Sequence, residues 1–175
     1  MKFLRLAEAD GTWQRFVEDW KSQCERLGED FDAYLSSPIS IVHDLAVSPL
    51  KPEAGAYAIE DENGSFLVMC QLNVTPLPGY VGDVLRVRML YFSPMYDVGE
   101  QDLQSYAKLL VALFFRIVTL SRDLMPARHI KFHLPSPNDR SFFSMLGSEL
   151  RGTGEFEKVE MRGAWLYISK SSGGS

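Results

Sequence analysis

Leu90-Tyr91-Phe92-Ser93-Pro94-Met95-Tyr96-Asp97-Val98-Gly99-Glu100-Gln101-Asp102-Leu103 is the stretch on which the fold turns. It joins two segments of different hydrophobic period. Upstream, Val84 to Phe92 alternates as a strand does, predicting Leu85, Val87, Met89 and Tyr91 on one face and Arg86, Arg88, Leu90 and Phe92 on the other. Downstream, Leu103, Tyr106, Leu110, Leu113, Phe114, Ile117 and Leu120 recur with helical spacing and predict a long helix from about Glu100 to Arg122. Pro94 and Gly99 punctuate the connection between them.

Working outward, Arg128 to Leu134 reads as the next strand, closed by Pro135 and Pro137. A strand, a long helix and a strand in succession imply a right-handed parallel crossover. A short helix from Asn138 to Leu146, stopped by Gly147, leads into a hairpin of Phe156 to Met161 and Ala164 to Ser169 around Arg162-Gly163. Toward the N-terminus, Gly55 to Asp61 and Phe66 to Val74 alternate on either side of Asn63-Gly64, a strong hairpin signal. Lys2 to Leu6 reads as a strand. Thr12 to Leu27 reads as a helix with Trp13, Phe16, Val17, Trp20, Cys24 and Leu27 on one stripe, stopped by Gly28. A second helical stretch starts near Asp30, and Ile39 to Val47 adds another turn or two. The order β-α-α-β-β-β-α-β-α-β-β predicts an α/β fold, a mixed central sheet of about seven strands with helices on both faces.

Bulk properties bound the function. Hydrophobic residues make up 46% and charged residues 23% of the 175, ordinary globular usage that argues against disorder. Residues 1–170 read as a single domain and Ser171-Ser172-Gly173-Gly174-Ser175 as a flexible tail. A net charge of −5 argues against nucleic acid as a partner. Cys24 and Cys70 belong to no CxxC pair or Cys/His cluster, which argues against structural zinc and disulfides and for a cytoplasmic location. The start, Met1-Lys2-Phe3-Leu4-Arg5-Leu6, is too short and charged for a signal peptide. The longest apolar run, Leu109 to Phe115, is far short of the ~20 residues that span a bilayer, so no membrane is expected.

The element order, the Pro94-x-Tyr96 turn at the end of the central strand and the Asn138 to Gly147 segment together resemble the GNAT superfamily of acyl-CoA N-acyltransferases, as a divergent member. The resemblance runs from Lys2 to Lys170. It implies transfer of an acyl group from acetyl-CoA or another acyl-CoA to an amine, carried on a small molecule or a protein, and it is compatible with a homodimer. It implies that Phe92, Pro94, Val98, Gly99 and Gln101 bind the cofactor through the turn, and Asn138 through the pantetheine arm. The physics is general: a helix N-terminus offers unpaired N–H donors and a positive potential to a phosphate.

This chain departs from the family pattern in its loop. Asp97 stands where a basic residue is expected, Glu100 and Asp102 fall near positions of small residues, and only Gly99 remains of the glycines. Asp97-x-x-Glu100 also has the spacing of a helix-capping box, so the chain's own carboxylates can take the role of the phosphate. Phe143 occupies the position of the family's proton-donating tyrosine. The remaining candidates for acid or base are Tyr91, Tyr96 and His133. Arg86, Arg88, His129, Lys131 and His133 share a face if the two central strands are neighbours, and that face suits an acidic substrate or partner. The alternative function is a non-catalytic module of the same fold, for protein binding or ligand sensing, that has lost acyl-CoA binding.

Overall fold

The computed structural model describes residues 1–34, 38–47, 50–99, 102–151 and 153–171. Seven strands, β1 (Lys2–Leu6), β2 (Ala54–Glu60), β3 (Phe66–Pro76), β4 (Asp83–Phe92), β5 (His129–His133), β6 (Phe156–Arg162) and β7 (Trp165–Lys170), form one sheet in the order β1-β2-β3-β4-β5-β7-β6. β4 and β5 are parallel, with Val84 opposite His129 and Val87 opposite Phe132. β1 pairs antiparallel with β2, and β7 antiparallel with both β5 and β6. The sheet is therefore mixed, as the element order predicts. Its parallel pair is joined through the long helix, because parallel neighbours need a crossover.

The helices are α1 (Thr12–Leu27), α2 (Phe31–Tyr34), α3 (Pro38–Ala46), α4 (Pro94–Asp97), α5 (Leu103–Leu120) and α6 (Pro137–Arg151). Three of them correct the sequence reading. The turn after β4 is itself a short helix, α4. The long helix starts at Leu103 rather than near Glu100. Gly147 does not stop α6, which runs on to Arg151. A Cβ at Gly147 would lie 3.0 Å from Val159 Cγ1, so this glycine serves close helix–strand packing rather than termination.

The chain forms two compact units. The first comprises Met1–Leu72 and Met89–Ile117. Its core is the α1 stripe: Trp13, Phe16 and Trp20 pack with Ala56 and Ala58 of β2, Phe66 and Met69 of β3, and Val42 and Ala46 of α3. The alanines leave room for the rings. Trp20 Nε1 donates to the Phe66 carbonyl at 2.8 Å, which satisfies the one polar atom the indole brings into the core. α1 ends where Gly28 turns left-handed (φ 74°) and its N–H reaches the carbonyls of Cys24 and Glu25. Both thiols are free and buried.

The second unit comprises Asn73–Arg88 and Val118–Ser175. Leu85, Val87, Ile130, Phe132, Val159, Leu166 and Ile168 are buried along its strands. Phe143 of α6 packs on Phe132 with ring centroids 5.6 Å apart. Lys170 Nζ donates to the Ser121 carbonyl at 2.7 Å just beyond the end of α5, where helix carbonyls favour a cation.

Met89 is left-handed (φ 47°) inside β4, alone among the described non-glycine residues. Such a residue breaks the two-residue alternation of a strand. Leu85 and Val87 sit opposite Ile130 and Phe132, whereas Met89 and Tyr91 pack against the Trp13–Phe16–Trp20 cluster. Over its 18 residues, with mean hydropathy 1.5, α5 is also long and apolar enough by composition to cross a membrane. Leu109, Leu110, Leu113, Phe114, Ile117 and Val118 are buried, which accounts for that hydropathy as the inner stripe of a core helix.

Candidate functional site

The site the sequence points to begins where β4 ends. Phe92 is buried and its ring lies 4.6 Å from that of Tyr106. Ser93 is fully buried, its N–H donates to the Leu67 carbonyl at 2.9 Å, and its hydroxyl has no hydrogen-bond partner among the described residues. The Ser93 carbonyl then accepts from Tyr96 N–H (2.8 Å) and Asp97 N–H (2.9 Å), and the Pro94 carbonyl accepts from Val98 N–H (2.9 Å) and Gly99 N–H (3.2 Å). Pro94, Val98 and Gly99 are thus spent on building α4. A Cβ at Gly99 would lie 2.3 Å from the Met95 carbonyl oxygen, so the glycine is required by that close approach. Gln23 of α1 anchors the turn from below, its Oε1 accepting from Met95 N–H at 3.3 Å.

Tyr34 is a member of this site that sequence reasoning missed. Its hydroxyl lies 2.9 Å from the Phe92 carbonyl and 3.1 Å from Asp97 Oδ2. Burial, and then the Asp97 charge, push the phenol far above its ordinary value, which keeps the proton available to these two acceptors. The sequence shows Tyr34 only as an apolar-stripe residue of a short helix, with no signal that it reaches across 63 positions to Asp97.

The N-terminus of α5 is closed by a carboxylate, but a different one from that expected. Asp97 is engaged by Tyr34, and Glu100 and Gln101 lie outside the described residues. Asp102 is the cap: Oδ1 accepts from Ser105 N–H at 2.9 Å and Oδ2 from Ser105 Oγ at 2.7 Å. The Ser105 hydroxyl, then its backbone N–H, hold the Asp102 carboxyl below its ordinary range, and the Gln104 N–H adds to this. The signal was present as Asp102-x-x-Ser105, the spacing of a side-chain cap over a first turn.

A CoA pyrophosphate does not fit this arrangement. The Ser105 and Gln104 N–H groups of the first turn of α5 already face a carboxylate, Asp97 and Asp102 are both exposed at the loop, and Gly99 is hemmed in by backbone rather than open to a ligand. Like charges at such a site repel more strongly as water is excluded.

The catalytic candidates fall in both units. Tyr91 and Tyr96 belong to the first unit, and burial raises both phenols, Tyr96 with a further push from Asp102. His133 belongs to the second unit, where its ring lies 4.7 Å from that of Trp165. Phe143 is fully buried core. Asn138 is exposed in the first turn of α6 and is not its cap; Pro137 opens that helix, and Ser136 Oγ accepts from Asp139 N–H at 3.4 Å. Among the described residues, no group of three or more His, Cys, Asp or Glu could hold a metal ion.

The basic face of the second unit does form. Arg86 sits opposite Lys131 in the parallel pair, and His129, Lys131 and His133 sit opposite Ser169, Tyr167 and Trp165. His129 is nearly buried, with Nδ1 2.8 Å from Ser169 Oγ and Nε2 3.1 Å from the Val81 carbonyl, so both its nitrogens are structural. A cleft of about 460 Å³ opens beside it, lined by Tyr80, Arg128, Glu157, Arg162 and Tyr167 among others.

Seven strands in this order, with β4 and β5 parallel and α5 between them in sequence, are the architecture that the resemblance implies. The chain has a GNAT-like fold. No family model and no curated protein matches the sequence. Among solved structures, the GNAT-like chain is similar to an acetyltransferase of the GNAT family from Listeria monocytogenes, with 12% identity over 97% of this chain and 93% of that one and a TM-score of 0.44. It is similar to a chimera of the spermidine N-acetyltransferase SpeG from Vibrio cholerae, with 14% identity over 97% and 93% of the two chains and a TM-score of 0.44. It is also similar to a chain of the KacTA–DNA complex, with 15% identity over 79% and 77% and a TM-score of 0.45. The fold rests on the topology above, and the DNA in the last of these belongs to that protein.

Proposed function

We propose that this chain uses a GNAT-like fold as a binding module and does not take acyl-CoA at the N-terminus of its long helix. The observation that carries this reading is the Asp102 carboxylate on the Ser105 N–H and hydroxyl, at 2.9 and 2.7 Å. A helix N-terminus attracts anions because its first-turn amides lack partners. Here a covalently attached anion serves them at an effective concentration that a free ligand has to exceed. The loss of a tyrosine at position 143 and the engagement of Asp97 by Tyr34 support the same reading. Two reduced, buried thiols suit a cytoplasmic setting.

Acyl transfer to an amine is the second reading. It is favoured by the Ser93 hydroxyl, which is buried at the end of β4 without a partner among the described residues, and an orphan of that kind is costly unless a ligand or water satisfies it. A triple variant separates the two readings. Asp97→Arg with Glu100→Gly and Asp102→Gly reverses the local charge and frees the α5 amides. On the binding-module reading it gains acetyl-CoA affinity that the parent lacks and melts at a lower temperature. A parent that binds acetyl-CoA at least as well as the variant overturns this reading.

A further inference from the structure

Three cations of the second unit have no counter-ion among the described residues. Arg86 and Arg88 lie two residues apart on β4, and Arg86 is the register partner of Lys131 on β5. All three are half-buried. None of them makes an ion pair with a carboxylate among the described residues, although the chain as a whole is acidic, with a net charge of −5. Two acids of β6, Glu157 and Glu160, are already committed. Glu160 accepts Lys158 (2.9 Å) and Arg162 (2.6 Å), and Glu157 accepts Arg128 (3.2 Å). Burial, then the neighbouring Arg88, depress the Arg86 guanidinium.

The Lys131 ammonium is also held in place. It sits 4.8 Å from the Trp165 ring centroid and 4.6 Å from that of Tyr167, so two aromatic side chains fix its position without neutralising it. α6 packs on the other side of these strands, through Phe143 on Phe132 and Gly147 against Val159. Half-dehydrated cations that stay unpaired are costly, and a bound anion offsets that cost.

From this arrangement we propose that Arg86, Arg88 and Lys131 form a binding site for a phosphomonoester dianion. Adjacent strands lie about 4.8 Å apart, and same-face residues of one strand about 6.6 Å apart, so the three side chains are rooted close together on one face; the β7 rings hold the Lys131 ammonium on their side of β5, and Arg86 and Arg88 approach the anion from β4. A carboxylate brings one negative charge to three cations. A phosphomonoester brings nearly two and three acceptor oxygens, which the forked guanidiniums can take in pairs. A long nucleic acid fits less well, because the acidic chain and the flanking Glu157 and Glu160 repel a polyanion. The proposal does not depend on how the α5 cap is read.

The test is calorimetric titration of the full chain at low salt with phenyl phosphate, a phosphoserine peptide, acetate and single-stranded DNA. Saturable phenyl phosphate binding in the millimolar range or tighter is expected, weakened at least about tenfold in Arg86→Gln and in Arg88→Gln, with acetate weaker than the ester. Lys131→Met keeps the aliphatic stem over the rings and guards against loss of fold; it is expected to weaken binding while leaving the melting curve in place. Equal affinity for ester and peptide assigns the site to a free phosphomonoester, and tighter peptide binding assigns it to a phosphorylated chain. No saturable binding of either, binding unchanged in all three variants, or single-stranded DNA binding more tightly than both overturns the proposal.

Discussion

Trp20→Ala removes a ring that is 0% exposed and wedged among Phe16, Phe66 and the β2 alanines. An aromatic side chain buries about 150–250 Å², which at ~25 cal/mol per Å² corresponds to roughly 4–6 kcal/mol of transfer. The methyl group that remains recovers a small part, so a loss of about 3–5 kcal/mol is expected. Trp20→Phe separates the polar component. It keeps most of the packing but strips the 2.8 Å donor from the Phe66 carbonyl, leaving the longer contact from Gln23 Nε2 at 3.4 Å. A weakened buried hydrogen bond of this kind costs about 1–3 kcal/mol. Urea denaturation followed by circular dichroism reads both as midpoint shifts at constant slope. With a slope of about 2 kcal/mol per molar, Trp20→Ala lowers the midpoint by roughly 2 M. A loss below about 1 kcal/mol for the alanine variant would refute the packing of the α1 stripe on β2 and β3.

Gly99→Ala tests the close turn of α4. Glycine to alanine at an unstrained site stabilises by about 0.4–1 kcal/mol, but here the added Cβ would meet the Met95 carbonyl at 2.3 Å. A lower melting temperature is therefore expected, and a higher one contradicts the turn. Asp102→Ala tests the cap by its pH dependence. Because Ser105 holds the folded-state carboxyl below its ordinary range, the cap's stabilisation is complete above about pH 4 and is lost as pH falls through the lower folded-state value. Acid titrations of parent and variant should differ near neutrality and converge at the acid end. Curves with the same separation at every pH would show that Asp102 acts through something other than its charge.

The fold was legible because its long elements carry clean periods. The α1 stripe, the β2–β3 hairpin around Asn63-Gly64 and the strand–helix–strand unit each announce themselves locally. Two features escaped for definite reasons. Met89 carries no marker of left-handed backbone, since such a conformation in a non-glycine residue is imposed by its surroundings. Gly147 reads as a stop until Val159 is known to press against it, because the requirement lies on another element. In the site, the acidity of the 97–102 loop was visible, but its division of labour was not. Asp97 turns to Tyr34, a contact of high sequence separation, and Asp102 takes the cap through Ser105. The basic face followed from alternation once β4 and β5 were neighbours; that it lacks counter-ions among the described residues goes with Glu157 and Glu160 being committed elsewhere.

Calorimetric titration of the unmodified chain with acetyl-CoA and with free CoA at physiological salt addresses the central claim. The cap on α5 predicts no saturable heat in the micromolar range, and any weaker binding that persists is expected to disappear in Arg86→Gln, because it then arises from the phosphomonoester of CoA on the basic face. Low-micromolar binding of acetyl-CoA that survives Arg86→Gln would contradict the account and make the N-terminus of α5 a working cofactor site.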